Sequence, residues 1–144
     1  MIGILVVTHG DFGKQLIKSA ELILGSQSHY ETLGLFHGDN IDQFGERILE
    51  KIKSLDDGDG VLAFIDLYGG SPFNAITLNF KKLTAKHKLQ CITGVNLPMI
   101  LEAFSSRQFC QIEELKKCCL DVGKKGIKDI TEQLNSIEMD VKTN

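Results

Sequence analysis

The sequence predicts an α/β domain: an open, mainly parallel sheet with helices on both faces. Three observations carry this reading. Ile2-Gly3-Ile4-Leu5-Val6-Val7 and Val61-Leu62-Ala63-Phe64-Ile65 are continuous apolar runs, as suits strands buried on both faces of a parallel sheet. Segments with helical apolar spacing separate such runs along the chain. Successive strand-like runs also stop at a glycine turn followed by a helix-opening signal, and alternating βα units imply parallel strands with right-handed crossovers.

The elements follow in order. The first strand runs into Thr8-His9-Gly10. Phe12 to Leu24 then places Leu16, Ile17, Ala20, Ile23 and Leu24 along one helical face, with Gly25 as its C-cap. The second strand is Tyr30 to Phe36. The second helix spans Ile41 to Leu55, with Ile41, Phe44, Ile48 and Ile52 in one stripe and Asp39 or Asn40 as cap. Asp56-Asp57-Gly58-Asp59-Gly60 is a turn into the third strand. The third helix is expected from Pro72 to Leu83, the fourth strand from Leu89 to Thr93, and the fourth helix from Pro98 to Phe104. Ile112, Leu115, Cys119 and Val122 align on a further helix from Ile112 to Lys124. Gly126-Ile127-Lys128-Asp129-Ile130 alternates strictly and reads as a short half-exposed strand. The polar remainder to Asn144 is expected as a frayed helix or as disorder, giving one domain over residues 1–131 and a tail over 132–144.

Bulk properties narrow the function classes. A chain of 144 residues is long enough to bury a core unaided. Its formal charge of −3 lacks the basic face that nucleic acid demands. No apolar run approaches the length of a membrane span and no stretch reads as a signal peptide, so a cytoplasmic location is expected. Cys91, Cys110, Cys118 and Cys119 form no Cys-x-x-Cys pair. Reduced, core-facing thiols are therefore expected rather than zinc or a disulfide framework.

Chemistry is indicated at strand ends. In open α/β sheets ligands gather beyond the carboxyl ends of the strands, and His9 ends the first strand before Gly10. Asp66 ends the third and leads into Leu67-Tyr68-Gly69-Gly70-Ser71-Pro72-Phe73-Asn74. Paired glycines allow a tight turn, Ser71 reads as an N-cap, and Pro72 as the first helical residue. A helix N-terminus there favours an anion such as phosphate. Thr93-Gly94-Val95-Asn96-Leu97-Pro98-Met99 repeats the pattern at the fourth strand. A flavodoxin-like order, 2-1-3-4, sets strands one and three side by side and brings His9 to Asp66 at the switch point.

Taken together, Thr8-His9-Gly10, the Gly69-Gly70-Ser71-Pro72-Phe73-Asn74 core and Gly94-Val95-Asn96-Leu97-Pro98-Met99 resemble the IIA component of the mannose family of the bacterial phosphoenolpyruvate:sugar phosphotransferase system (PTS). The resemblance covers roughly residues 1 to 130. It implies a phosphotransferase in which His9 accepts a phosphoryl group on Nε2 from phosphorylated HPr, the histidine phosphocarrier. The group then passes to a IIB component, and from there to a sugar entering through a membrane IIC/IID complex. Asp66 would orient His9 through Nδ1–H. Gly10, Gly70 and Ser71 would bind the phosphoryl group, with Thr8 and Asn96 as pocket walls. No metal, nucleotide or other cofactor is implied. The resemblance also implies a homodimer, with the Gly126–Ile130 strand antiparallel at the sheet edge. His37-Gly38-Asp39 echoes His9-Gly10-Asp11 but falls in a variable loop of the family, so His37 is read as non-catalytic.

Rival readings fit less well. A histidine phosphatase or mutase places arginine beside its strand-end histidine, whereas this chain has Thr8 there and only Arg47 and Arg107. A response-regulator receiver needs acidic residues at the end of strand one for magnesium, and Val7-Thr8-His9 has none. A dinucleotide binder needs the G-x-G-x-x-G turn, absent from Thr8 to Gly13. The phosphotransfer subunit of dihydroxyacetone kinase and a purely regulatory PTS module remain as alternatives.

Overall fold

The computed structural model describes residues 1–143. Four parallel strands, β1 (Gly3–His9), β2 (Tyr30–Leu35), β3 (Val61–Ile65) and β4 (Leu89–Thr93), form one sheet in the order β2-β1-β3-β4. Among the described residues seven helices accompany them: α1 (Phe12–Leu24), α2 (Ile41–Leu55), α3 (Ser71–Leu78), α4 (Phe80–Thr84), α5 (Leu97–Ser106), α6 (Ile112–Lys125) and α7 (Ile130–Thr143).

The two-residue alternation of strand side chains sorts the core into two layers. Ile4 and Val6 of β1 join Leu62 and Phe64 of β3 under α1, α5 and α6. Leu5 and Val7 join Val61, Ala63 and Ile65 under α2, α3 and α4. All nine of these strand residues are buried, which is why β1 and β3 read as continuous apolar runs. Ile23 and Leu24, expected on the apolar face of the first helix, are instead exposed in its last turn.

Two expectations need correction. The third helix is interrupted at Asn79, whose Nδ2 donates to the Ala75 carbonyl at 2.9 Å while its N–H turns back to Ile76 O. Such local side-chain bonding competes with helix continuation. The expected antiparallel edge strand at Gly126–Ile130 is absent, and all paired strands among the described residues are parallel. Gly126 ends α6, and the Asp129 carboxylate accepts the Glu132 N–H at 3.0 Å, capping the start of α7. The alternation that suggested a strand is the beginning of a three-four apolar spacing through Ile127, Ile130, Leu134, Ile137 and Val141. Of the two outcomes expected for the tail, its described residues show the helical one, while Asn144 lies outside the described residues.

Candidate active site

Parallel pairing fixes the first half of the site. β1 and β3 are neighbours, with Val7 level with Ile65, so the next residues of each strand emerge together at the carboxyl pole. His9 and Asp66 meet there. One carboxylate oxygen, Asp66 Oδ2, accepts the His9 backbone N–H at 2.9 Å and lies 2.8 Å from His9 Nδ1. A carboxylate only accepts, so Nδ1 carries the proton and Nε2 is left with its lone pair. The imidazole is 47% exposed and the carboxylate 11%: nucleophile in solvent, orienting group below it. Asp66 Oδ1 is buried and receives no donor among the described residues.

The start of α3 forms the other half. Gly70, rather than the expected Ser71, is the N-cap, in an extended conformation, and Ser71 is the first helical residue with Pro72 behind it. A Cβ on Gly70 would stand 3.0 Å from His9 Cε1 and 3.5 Å from Nε2. The missing side chain thus lets the ring lie against the helix N-terminus. The first intrahelical bond runs from Asn74 N to Gly70 O, so the Ser71 and Phe73 amides have no acceptor within the helix. A positive helix end and a free ring nitrogen therefore face the same space, which suits an anionic phosphoryl group.

The remaining sequence-predicted residues sit differently. Thr8 points to the other face of β1 from His9, is fully buried, and accepts the Gly13 N–H of the first turn of α1 at 2.9 Å. Gly10 makes its turn with φ +55° and donates its N–H to Leu35 O at 2.8 Å. Asn96 caps α5, accepting from Met99 N at 3.1 Å and donating to Gly123 O at 3.0 Å. His37 is exposed in the loop after β2, where Asp39 closes a turn on the Phe36 N–H.

Sequence reasoning passed over Gly34 and the rim. A Cβ on Gly34 would overlap the Gly10 carbonyl, so the turn carrying His9 can pack beside β2 only because Gly34 has none. An isolated glycine inside Leu33-Gly34-Leu35 is the signal for such an approach. Phe12, Phe36, Leu67 and Tyr68 are all exposed, on the segments that follow β1, β2 and β3 at this pole. Tyr68 rests on Phe73 with ring centroids 4.8 Å apart. Among the described residues no group of three or more His, Cys, Asp or Glu side chains could hold a metal ion, and no helix is long and apolar enough to cross a membrane.

Comparison with known proteins places the chain in a family. The family profile described as "PTS system fructose IIA component" matches residues 3–119. The mannose-specific EIIAB component of the PTS from Escherichia coli (strain K12) is 34% identical over 128 residues, covering 88% of this chain and 39% of that protein. The chain therefore spans about two-fifths of that relative's length. The fructose-specific EIIA component of Bacillus subtilis (strain 168) is 25% identical over 138 residues, covering 96% of this chain and 92% of its own. Among solved structures, EIIA from Streptococcus agalactiae superposes with a TM-score of 0.83 at 28% identity, covering 92% of this chain and 99% of the other. The PTS IIA protein associated with the fucose utilization operon of Streptococcus pneumoniae gives 0.79 at 30% identity, covering 92% and 95%. With the family profile matching most of the chain, the protein belongs to the EIIA-man family of phosphotransferase-system IIA components.

Proposed function

We propose that this protein is a cytoplasmic phosphoryl carrier in sugar uptake, taking a phosphoryl group from phosphorylated HPr on His9 Nε2. It hands the group to a IIB component working with a membrane IIC/IID complex. The observation that carries the reading is the pairing of His9 with Asp66 beneath a helix N-terminus that Gly70 keeps open. Residues 1–131 are the catalytic domain in this reading, acting as a homodimer.

The chemistry is an in-line exchange between two imidazoles. The His9 Nε2 lone pair attacks phosphorus, the N–P bond to the donor histidine breaks, and that histidine keeps the bonding pair. No general base is needed, because Nε2 enters unprotonated. Once phosphorylated, the His9 ring holds the proton on Nδ1 and the phosphoryl group on Nε2, so it carries positive charge that Asp66 offsets. Transfer through a loose transition state depends on positioning and on charge. The Ser71 amide and hydroxyl, with the first turn of α3, receive the phosphoryl oxygens, and Gly70 provides the room. Gly10, Thr8 and Asn96 act through the backbone: Gly10 by its turn, Thr8 by tying α1 to β1, and Asn96 by fixing the start of α5. The exposed rim of Phe12, Phe36, Leu67 and Tyr68 supports a protein donor rather than a small molecule, since aromatic and apolar clusters favour macromolecular contact.

Intact-mass analysis after incubation with phosphoenolpyruvate, enzyme I and HPr tests this reading. One acid-labile phosphoryl group on the wild type and none on His9→Ala is the expected result. An unmodified wild type beside fully phosphorylated HPr overturns it.

A further inference from the structure

The sheet carries a second histidine–carboxylate pair at its opposite pole. His87 Nδ1 lies 2.7 Å from Asp56 Oδ2, the same tie that His9 makes to Asp66. Asp56 also accepts the N–H groups of Gly58 and Gly60, and both side chains are mostly buried, at 19% and 10% exposure. The residues stand just before β4 and β3. They are separated from His9 by the length of five-residue parallel strands, roughly 17 Å.

This pair borders a cavity of about 210 Å³ lined by Leu49, Lys53, Lys82, Leu83, Lys86 and His87. The lining contains three lysines and no acid, in a chain whose net charge is −3. None of the three makes an ion pair among the described residues. The other lysines with partners, Lys51, Lys116 and Lys125, meet theirs elsewhere. Lysines gather near helix C-termini for the dipole alone. That tendency accounts for neither a hollow between them nor a histidine held by a buried carboxylate at its edge.

We infer that this cavity binds the phosphate group of a small phosphate monoester, with Lys53, Lys82 and Lys86 around the anion and the ring of His87, held by Asp56, as part of its wall. The Asp56 tie fixes the ring of His87 at the cavity edge. Leu49 and Leu83 receive the apolar part of the ester. The volume suits a metabolite of few carbons rather than a nucleotide. No covalent step is involved, and binding leaves His9 uncovered.

NMR chemical-shift mapping on the full chain tests the inference, with β-glycerophosphate as probe and sodium chloride at matched ionic strength as the blank. Saturable shifts are expected at His87, Leu83 and Leu49, with affinity falling roughly tenfold or more in Lys82→Gln/Lys86→Gln. These two positions are exposed, so the variant folds. His87→Ala is not needed. Shifts no larger than the chloride blank overturn the inference, as do shifts that survive the double variant or appear only near His9. A parallel arm measures co-sedimentation with phosphatidylglycerol vesicles. Binding there, without saturable shifts from β-glycerophosphate, assigns the lysines to a lipid surface and overturns the small-ester occupant.

Discussion

A single carboxylate oxygen, Asp66 Oδ2, holds His9 at two points, the backbone N–H at 2.9 Å and the ring Nδ1 at 2.8 Å. The main-chain contact fixes where the strand ends; the ring contact fixes which nitrogen is free. Asp66→Asn keeps the shape and removes the charge, and its amide can donate to the ring and reverse the tautomer. Phosphoryl transfer from phospho-HPr is expected to slow on the order of a hundred- to ten-thousandfold, by analogy with other histidine–carboxylate pairs. Rapid-quench kinetics on Asp66→Asn checks this, and a rate within a few-fold of wild type would show that Asp66 does not orient the nucleophile.

Gly70→Ala isolates the space beside the ring. Gly70 has φ −73° and ψ 172°, which alanine adopts without strain, so fold stability changes by only about 0.5–1 kcal/mol at an N-cap. The added Cβ meets His9 Cε1 at 3.0 Å and pushes the ring off the helix end. Phosphotransfer is expected to fall about tenfold or more, since positioning dominates such reactions, while the melting temperature moves little. Equal losses in both would mean that the glycine serves the fold instead.

The layout of the site was legible in the sequence, and its supports were not. His9 and Asp66 stand out because each terminates a continuous apolar strand, and the β2-β1-β3-β4 order then makes them neighbours. Side-chain commitments were hidden. Thr8 lies one residue from His9, yet strand alternation turns it to the opposite face and under α1. Asn96 caps its helix while reaching Gly123, 27 residues away, and the His87–Asp56 contact bridges 31; no local pattern encodes either. At the C-terminus, five alternating residues cannot distinguish a strand from the opening of a three-four helical stripe.

Gly34→Ala tests a close approach that only the fold reveals. Its Cβ would overlap the Gly10 carbonyl, so β2 and the His9–Gly10 turn must separate. A destabilisation of about 1–3 kcal/mol is expected, read by urea unfolding, together with weaker phosphorylation because the displaced turn carries the nucleophile.

Asn96→Ala is expected to divide stability from activity the other way. It removes the α5 cap and the bond to Gly123 O, costing about 1–2 kcal/mol. Phosphorylation of His9 should stay within a few-fold of wild type. A selective loss of transfer with unchanged stability would place Asn96 in the phosphoryl pocket.

The Asp56 latch gives a pH signature. Burial pushes its carboxyl up, but hydrogen bonds from His87, Gly58 and Gly60 outweigh this and hold it below its ordinary value of 3.8. A carboxyl with a depressed folded value contributes stability that is complete above the unfolded value and is lost as pH falls through the folded one. Asp56→Asn should therefore cost about 1–3 kcal/mol near neutrality, and the gap from wild type should close below pH 3.8. Unfolding free energies of both proteins across that range check the prediction. A gap that persists in acid would assign the cost to shape rather than charge.

Removal of residues 127–144 asks what α7 does for the domain. Every residue from 127 to 141 is exposed, so the helix draws no stability from the core it follows. Its 14 residues form a length at which an isolated helix is marginal in water. The deletion also leaves the α6 end intact, because Gly126 still packs against Pro98 and Asn96 still holds Gly123 O. The melting temperature is expected to shift by less than about 2 °C, while circular dichroism loses no more helical signal than the 14 residues of α7 account for. A larger drop would mean that the stripe of Ile130, Leu134, Ile137 and Val141 is covered in solution. Its dependence on protein concentration would then tell a second copy, whose cover weakens on dilution, from the chain's own body, whose cover does not.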